Sequence, residues 1–330
     1  MNLMLFTSLL NLSIFMGTST NNIIFTWMMM EMNMITFIPM MYYYNKPSKK
    51  DIFMKYFLIQ SFSSSIMLIS MLFYFTNSFN SIFISMMLIS ILMKTGMWPF
   101  SWWYMHLLIN LDWMTIFIMM TSQKMLPFYL FYNLMDSSNI YSPMFMHLLQ
   151  LILLLNLISS FFMIINSNLI KLIISASSMN QMTWFFTLLF YNCETWSNYF
   201  SLYTFTLLIT MTMFNFYEIN FIHDLHILPL PYKILLMTLM IFFMMLPPTM
   251  NFFMKLLAVK NIMIHYHYLL TFIMLCLSTI FSFFYLKILF PSILFFKMNN
   301  FFNTHTYTLP EINLILMMLL FILTSLTVLI

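Results

Sequence analysis

Apolar residues run nearly unbroken for about twenty positions at a time, punctuated by short polar stretches. Within a run the pattern does not alternate with period two, which argues against a membrane β-barrel. The runs predict helices at 3–20, 23–44, 52–75, 82–98, 114–133, 144–165, 169–190, 197–217, 233–257, 263–289 and 311–329. A backbone in lipid must satisfy its own hydrogen bonds, and a helix of about 20 residues does so while crossing about 30 Å of hydrocarbon. About eleven spans in 330 residues leave only short loops and no room for a folded extramembrane domain. The expected fold class is an all-α polytopic membrane protein.

Four charged residues interrupt the apolar spans: Glu31, Lys94, Lys124 and Lys255. A Lys or acid at mid-bilayer costs roughly 2.5–3.5 kcal/mol on translocon scales, and such groups usually mark an ion or proton path. Helix breakers accompany the lysines. Gly96 and Pro99 follow Lys94, Pro127 follows Lys124, and Pro247-Pro248 precede Lys255. Proline removes a donor and frees a carbonyl one turn back, which lipid tolerates only where the break is buried in protein or lines a water-filled cavity. Desolvation favours a neutral amine and a nearby carboxylate favours the ammonium, so a buried lysine can switch protonation when its partner moves. Glu31 with Lys94 is read as a modulating ion pair, Lys124 as the central carrier and Lys255 as the exit-side carrier. The plainer alternative is that each lysine snorkels to the surface or bridges helices.

Composition sharpens the picture. The chain is 62% hydrophobic and 6% charged, with a mean hydropathy of +0.92, which excludes an ordinary soluble domain. It holds 41 Met and 40 Phe but 2 Gly, and all its basic residues are Lys. Abundant A/T-rich codons and a Met excess point to an organelle gene. The methionines are spread over every span, which argues against a copper-binding surface. Cys193 and Cys276 are too few for an iron–sulfur cluster, which needs about four ligands. The N-terminus has neither a typical signal peptide nor an Arg-rich transit peptide. A net charge of +4 without lysine clustering beyond Lys46, Lys49 and Lys50 does not suggest nucleic acid binding.

Orientation follows the lysines. With eleven spans, Lys46, Lys49, Lys50, Lys171, Lys233, Lys287 and Lys297 fall on one side and Lys260 on the other. The Lys-rich side is read as the matrix, with the N-terminus there and the C-terminus in the intermembrane space. Other candidates are bland. His223-Asp224-Leu225-His226 reads as a solvated loop rather than a metal site, and His265 and His267 as interfacial residues. His106 follows the interfacial aromatics Trp102 and Trp103, and Lys171 reads as an interfacial anchor. Ser177 and Ser178 are expected to bond their own backbone rather than a water chain. No metal site is expected, and two glycines leave no room for phosphate-binding glycine motifs.

Several segments, taken in order, carry a resemblance. Trp27 to Pro39 reads W-x-x-x-E-x-N-x-x-x-F-I-P, Lys55 to Ser61 reads K-Y-F-L-x-Q-S, and Lys94 to Phe100 reads K-x-G-x-x-P-F. Leu111 to Met114, Gln123 to Pro127, Ser177 to Trp184 and Leu246 to Lys255 continue the series. The ordered set resembles the mitochondrial NADH dehydrogenase subunit 2 family, antiporter-like membrane subunits of respiratory complex I, over most of residues 20–260. The resemblance implies eleven helices with two inverted five-helix repeats, approximately 1–133 and 144–289, followed by a C-terminal helix at 311–329. It implies proton translocation in the mitochondrial inner membrane, with Glu31, Lys94, Lys124 and Lys255 as the key residues. NADH, FMN, iron–sulfur clusters and ubiquinone are then expected in partner subunits and no cofactor in this chain. The implied partners are other complex I subunits, especially neighbouring antiporter-like and small membrane-arm subunits, and phospholipids including cardiolipin.

The chain departs from the family pattern in places. The family's histidines are Ser101 and Gln181 here, and its glycines are Thr183, Met244, Met245 and Asn251. The lost histidines leave waters or hydroxyls to complete any relay. Two other readings stay open: a stand-alone cation/proton antiporter of the same fold, and a structural membrane subunit without a transport role.

Overall fold

The computed structural model describes residues 2–44, 50–75, 80–136, 143–165, 167–245, 249–264 and 268–299. Lys46, Lys49, Pro247, Pro248, His265, His267 and the expected span 311–329 lie outside the described residues. The helices are α1 (Asn2–Thr18), α2 (Ile23–Tyr44), α3 (Lys50–Phe75), α4 (Asn80–Thr95), α5 (Ser101–Asn110), α6 (Trp113–Met120) and α7 (Ser122–Asp136). They continue with α8 (Pro143–Ile164), α9 (Ile170–Tyr191), α10 (Cys193–Phe216), a 3-10 helix (Ile222–Ile227), α11 (Leu230–Met244), α12 (Met250–Ile264) and α13 (Tyr268–Asn299). Among the described residues extended pairing is limited to one isolated bridge, Leu169 with Phe221.

Four stretches are long and apolar enough to cross a bilayer: Ile23–Tyr44, Asp51–Phe73, Met146–Ile164 and Tyr268–Phe290. Their outward faces carry bare apolar side chains, among them Ile35, Phe62, Phe162, Phe272 and Phe283. A belt of this kind suits hydrocarbon and not water. The helix at the centre is α9, buried from Ser175 through Leu189 without interruption. It therefore carries polar residues that lipid would not accept on an outer helix. Its hydroxyls are satisfied locally, as expected: Ser177 donates to Ile174 O at 2.7 Å and Ser178 to Ser175 O at 2.6 Å.

Three expected elements differ from the sequence reading. Residues 99–113, read as a loop, hold α5. The chain leaves α4 at Gly96 and re-enters a helix at Ser101, so the ten-residue run is too short to read as a span by itself. The expected span 114–133 is two helices. The break falls at Thr121, whose φ −116° and ψ −83° leave the helical region. Pro127, the anticipated breaker, sits inside α7. Its ring crowds the carbonyl of Gln123, so the disturbance falls on the N-terminal side of the proline. The expected span 233–257 is divided into α11 and α12, as the Pro247-Pro248 pair suggested.

The helix ends explain themselves locally. α4 closes with a Schellman motif: Met97 N donates to Leu92 O at 3.0 Å and Gly96 N to Met93 O at 3.3 Å. That motif needs a left-handed residue, and Gly96 supplies φ +71°. α10 ends the same way with Glu218 at φ 54°, and α11 ends on Met245 at φ 54°. Asn192 starts α10 by accepting the amides of Glu194 and Thr195, and Glu194 places a negative charge in the first turn. Amide side chains repair the breaks. Gln60 donates to Lys94 O at 3.3 Å, and Asn251 donates to Phe242 O at 3.1 Å. Asn156 accepts Trp98 N at 3.1 Å and donates to Met179 O at 3.0 Å, joining the α4–α5 break to α9.

Polar contacts sort the connections into two groups. Lys171 Nζ donates to Leu111 O at 2.7 Å and the Leu169–Phe221 bridge lies nearby, which gathers the α5–α6, α8–α9 and α10–α11 connections. Tyr129 bonds Asn21 Oδ1 at 2.9 Å, and Asn261 donates to Thr195 Oγ1 at 3.3 Å, which ties α7 to the α1–α2 turn and α12 to the start of α10.

Gly96→Ala tests the first break. A Cβ there would stand 2.5 Å from Tyr104 Cβ and the backbone would keep its left-handed angle. The expected loss is about 1–3 kcal/mol from the backbone alone, with the clash added. Thermal unfolding in detergent checks it, and an unchanged midpoint would contradict this account of the break.

Candidate functional site

Each charged residue is positioned by a helix that a break or a buried face makes special. Glu31 lies eight residues into α2, on the helix that also buries Met30, Asn33 and Met34. Lys94 is the penultimate residue of α4, just before the Schellman turn. Its Nζ lies 3.6 Å from Glu31 Oε1, with side chains 6% and 22% exposed. The pair is an ion pair longer than a hydrogen bond, and Glu31 Oε1 has no hydrogen-bond partner among the described residues. Lys124 follows the Thr121 break and is buried, with 2% of its surface exposed. Its Nζ has no hydrogen-bond partner among the described residues and stands 4.4 Å from the centroid of the Tyr104 ring. The face of an aromatic ring attracts a cation through its quadrupole, so Tyr104 supplies part of what a counter-ion would.

Lys94 and Lys124 open into one cavity. Asn33, Tyr56, Gln60, Tyr104 and Gln123 also line it, with Met30, Met34, Met119 and Pro127. The space open to water centres is about 20 Å³, and about 10–15 Å³ holds one water. Its amides and phenols are ordered by each other. Tyr56 donates to Gln123 Oε1 at 3.1 Å, and Gln123 Nε2 donates to Asn33 Oδ1 at 3.0 Å. The arrangement leaves room for a water in a cavity that both lysines line.

Lys255 stands apart from this cavity. It lies six residues into α12, and its Nζ is 5.0 Å from the centroid of the Trp184 ring on α9. A line of buried side chains on α9 runs between the two regions. Ser178 stands 3.4 Å from Tyr104 Oη. Ser178 already donates to Ser175 O, so Tyr104 donates to Ser178. One turn on, Gln181 accepts from Tyr199 at 2.6 Å, and one turn further is Trp184 beneath Lys255.

Several neighbours of the site were missed as site residues in the sequence. Asn33, Tyr56, Gln60 and Gln123 all lie inside the segments that carried the family resemblance, so a signal was present. Tyr104 had none, because its helix was read as loop. Lys233, taken as a matrix-facing marker, is buried with no hydrogen-bond partner for Nζ among the described residues. The 3-10 helix, which precedes α11 in the chain, packs on α13, and α11 itself packs on α13 and α10. Lys171 is an anchor with defined partners, since it bonds Leu111 O and stands 5.3 Å from the Trp113 ring centroid. In the segment His223 to His226, Asp224 accepts the amides of Asn220 and Phe221 at 3.1 and 2.8 Å. Among the described residues no group of three or more His, Cys, Asp or Glu gathers as a metal would need.

The ion pair makes a prediction. Glu31→Gln alone and Lys94→Met alone should each destabilise by about 1–3 kcal/mol, less than the roughly 3–5 for a fully buried pair because Glu31 is partly exposed. The double variant should lose clearly less than the sum, because neither charge is then left alone. A thermal-stability cycle in detergent measures this, and additive losses would mean the two groups do not interact.

The family model described as "NADH:quinone oxidoreductase/Mrp antiporter, TM" matches residues 20–282. NADH-ubiquinone oxidoreductase chain 2 of Rhipicephalus sanguineus is 31% identical over 320 residues, 94% of this chain and 97% of the relative. The chain 2 protein of Anopheles gambiae is 29% identical over 287 residues, 82% of this chain and 80% of the relative. Among solved structures, a chain of respiratory complex I from Thermus thermophilus with bound aureothin superposes with a TM-score of 0.78 at 15% identity, covering 88% of this chain and 70% of that one. A chain of the membrane-bound sulfane sulfur reductase, an archaeal respiratory membrane complex, gives 0.78 at 14% identity, covering 96% and 72%. At these identities the structural likeness speaks to the fold: an all-helical, multi-pass membrane protein of the antiporter-like kind. On the family match and the tick relative together, this chain belongs to the NADH-ubiquinone oxidoreductase chain 2 family.

Proposed function

We propose that this chain is a core membrane-arm subunit of respiratory complex I and that it contributes to proton translocation across the mitochondrial inner membrane. The observation that carries the reading is the shared cavity of Lys94 and Lys124. One lysine is held by Glu31, the other has a ring and a water-sized space but no counter-charge among the described residues, and both sit beside helix breaks. In this reading Glu31 tunes Lys94, Lys124 is the central carrier and Lys255, beyond α9, is the exit-side carrier. Electron transfer belongs to partner subunits that hold NADH, FMN, iron–sulfur clusters and ubiquinone. Neighbouring antiporter-like and small membrane-arm subunits, with phospholipids including cardiolipin, are the proposed surroundings.

We further propose eleven membrane crossings. Each divided pair, α4 with α5, α6 with α7 and α11 with α12, counts as one crossing. The two groups of polar contacts then fall at opposite ends without exception, which supports the count. Residues 1–133 and 144–289 are proposed as two inverted repeats, with 311–329 as the C-terminal crossing. The matrix is proposed to face the Lys171 end and the N-terminus, and the intermembrane space the C-terminus.

Lys124→Met tests the carrier role. In the assembled complex, reconstituted in liposomes, electron transfer from NADH to quinone should persist while the number of protons moved per electron falls. Acidification measured against NADH oxidation reads this out, and a normal ratio in that variant would remove Lys124 from the path.

A further inference from the structure

We propose that Tyr199 is a positioning residue in the Lys124-to-Lys255 half of the site, and that its hydroxyl turns between Gln181 Oε1 and Met245 Sδ. The inference rests on the proton-translocation reading and adds to it a residue that faces the end of a divided helix. Tyr199 is buried, on α10, with its ring packed edge-on against Phe185 at 5.2 Å between centroids. Its hydroxyl meets two acceptors from two other helices. One is Gln181 Oε1 of α9 at 2.6 Å, and the other is Met245 Sδ at the end of α11 at 3.5 Å. A phenol has one proton to donate and a thioether is a weak acceptor, so the resting bond goes to Gln181. Rotation about the C–O bond carries the proton to the sulfur without moving the ring.

The two positions do different things. Gln181 stands one turn from Ser178, which accepts from Tyr104, and one turn from Trp184, which lies beneath Lys255. With the hydroxyl on Gln181, one of that carbonyl oxygen's two lone pairs is taken. With the hydroxyl on Met245, both are open to a donor arriving from the Lys124 side. The Gln181 amide does not take up or release a proton in the physiological range, so it cannot hold a proton itself, and a turning hydroxyl supplies the missing step of reorganisation. Met245 is a suitable second partner because its backbone, at φ 54°, closes α11 in a conformation that a non-glycine residue holds only under local strain. A shift of that helix end moves the sulfur relative to Tyr199 and biases the hydroxyl.

The test uses the assembled complex in liposomes and four variants: Tyr199→Phe, Gln181→Leu, Met245→Leu and Lys124→Met. Tyr199→Phe keeps the ring and removes the hydroxyl, and Met245→Leu keeps the volume and the backbone angle and removes the sulfur. Protons moved per electron should fall in Tyr199→Phe and Gln181→Leu to at least halfway toward the Lys124→Met value, at normal levels of assembled complex. Met245→Leu should lower it measurably. A purely structural bond would lower the amount or thermal stability of the complex and leave the ratio alone, which would overturn the proposal. If Tyr199→Phe or Gln181→Leu does not assemble, Met245→Leu decides: a ratio equal to that of the unaltered chain overturns it. A normal ratio in Lys124→Met would instead defeat the underlying proton-path reading, whatever the other variants do.

Discussion

The structure depends on one constraint: a backbone group freed inside a bilayer must find a partner inside the protein. The chain divides its helices between α4 and α5 and between α11 and α12 and meets that constraint with amide side chains. Gln60 takes Lys94 O, Asn156 takes Trp98 N, and Asn251 takes Phe242 O. A primary amide suits the task because it carries both donor and acceptor on one short stem. Asn156 uses both at once and so fixes the first break against α9. α5, α7, α8, α10, α12 and α13 all pack on α9 and enclose it, so its serines, Asn180 and Gln181 become admissible. The lysines sit beside the breaks for the same reason. Those are the places where polar protein atoms reach the membrane interior in number, so a charge there has something besides hydrocarbon around it.

Much of this was legible in the residues. Continuous apolar runs gave α1, α2, α3 and α8 within about two residues, because lipid imposes a length and forbids exposed polar groups, whereas α13 runs well past its expected end at 289. Lys94 beside Gly96 and Pro99, and Lys255 after Pro247-Pro248, gave two of the breaks. Glu31 and Lys94 pair in the sequence by elimination, as the acid and base that share the spans, and they stand 3.6 Å apart. What the sequence could not convey was the polar lining beside them, Tyr56 on Gln123 and Gln123 on Asn33, because periodicity within one helix carries no information about contacts between helices. The Thr121 break was misplaced because proline is the visible breaker while the distortion it imposes falls upstream. Tyr104 was lost for a related reason: a ten-residue helix after a break has too little apolar length to announce itself. Lys233 shows the opposite failure, since charge near a helix start reads as surface, yet its side chain is buried on a helix that packs against α13 and α10.

The shortage of glycine leaves its own mark. Among the described residues three helix ends adopt left-handed angles, and of these the one at Gly96 is a glycine. Glu218 and Met245 occupy the others, where an L side chain brings its Cβ too near the following carbonyl, a penalty of roughly 1–2 kcal/mol each. Such strain persists only where surrounding contacts over-determine the backbone. At Met245 those contacts include a sulfur in reach of Tyr199, so the substitution that strains the turn also gives it a side chain. Methionine is well suited to this, with an unbranched stem that fills irregular space and a polarisable atom near its tip.

The two lysines of the cavity differ in a way that separates scaffolding from transport. A lysine that serves only to rivet two helices needs a counter-charge, and Lys94 has one in Glu31 at 3.6 Å. Nothing about that pair by itself demands movement. Lys124 has no such partner among the described residues; its amine faces the Tyr104 ring and space enough for water. For a rivet, a methionine of equal length would serve better in that position, since burying an uncompensated ion is unfavourable and apolar replacements of similar volume are commonly neutral or stabilising. The retention of an amine where packing would favour a thioether, in a chain that holds 41 methionines, is therefore the strongest structural argument that Lys124 is there for its proton. In the proposed proton path the adjacent pair then has a purpose: moving Glu31 toward or away from Lys94 changes the field at the Lys124 amine, which lines the same cavity.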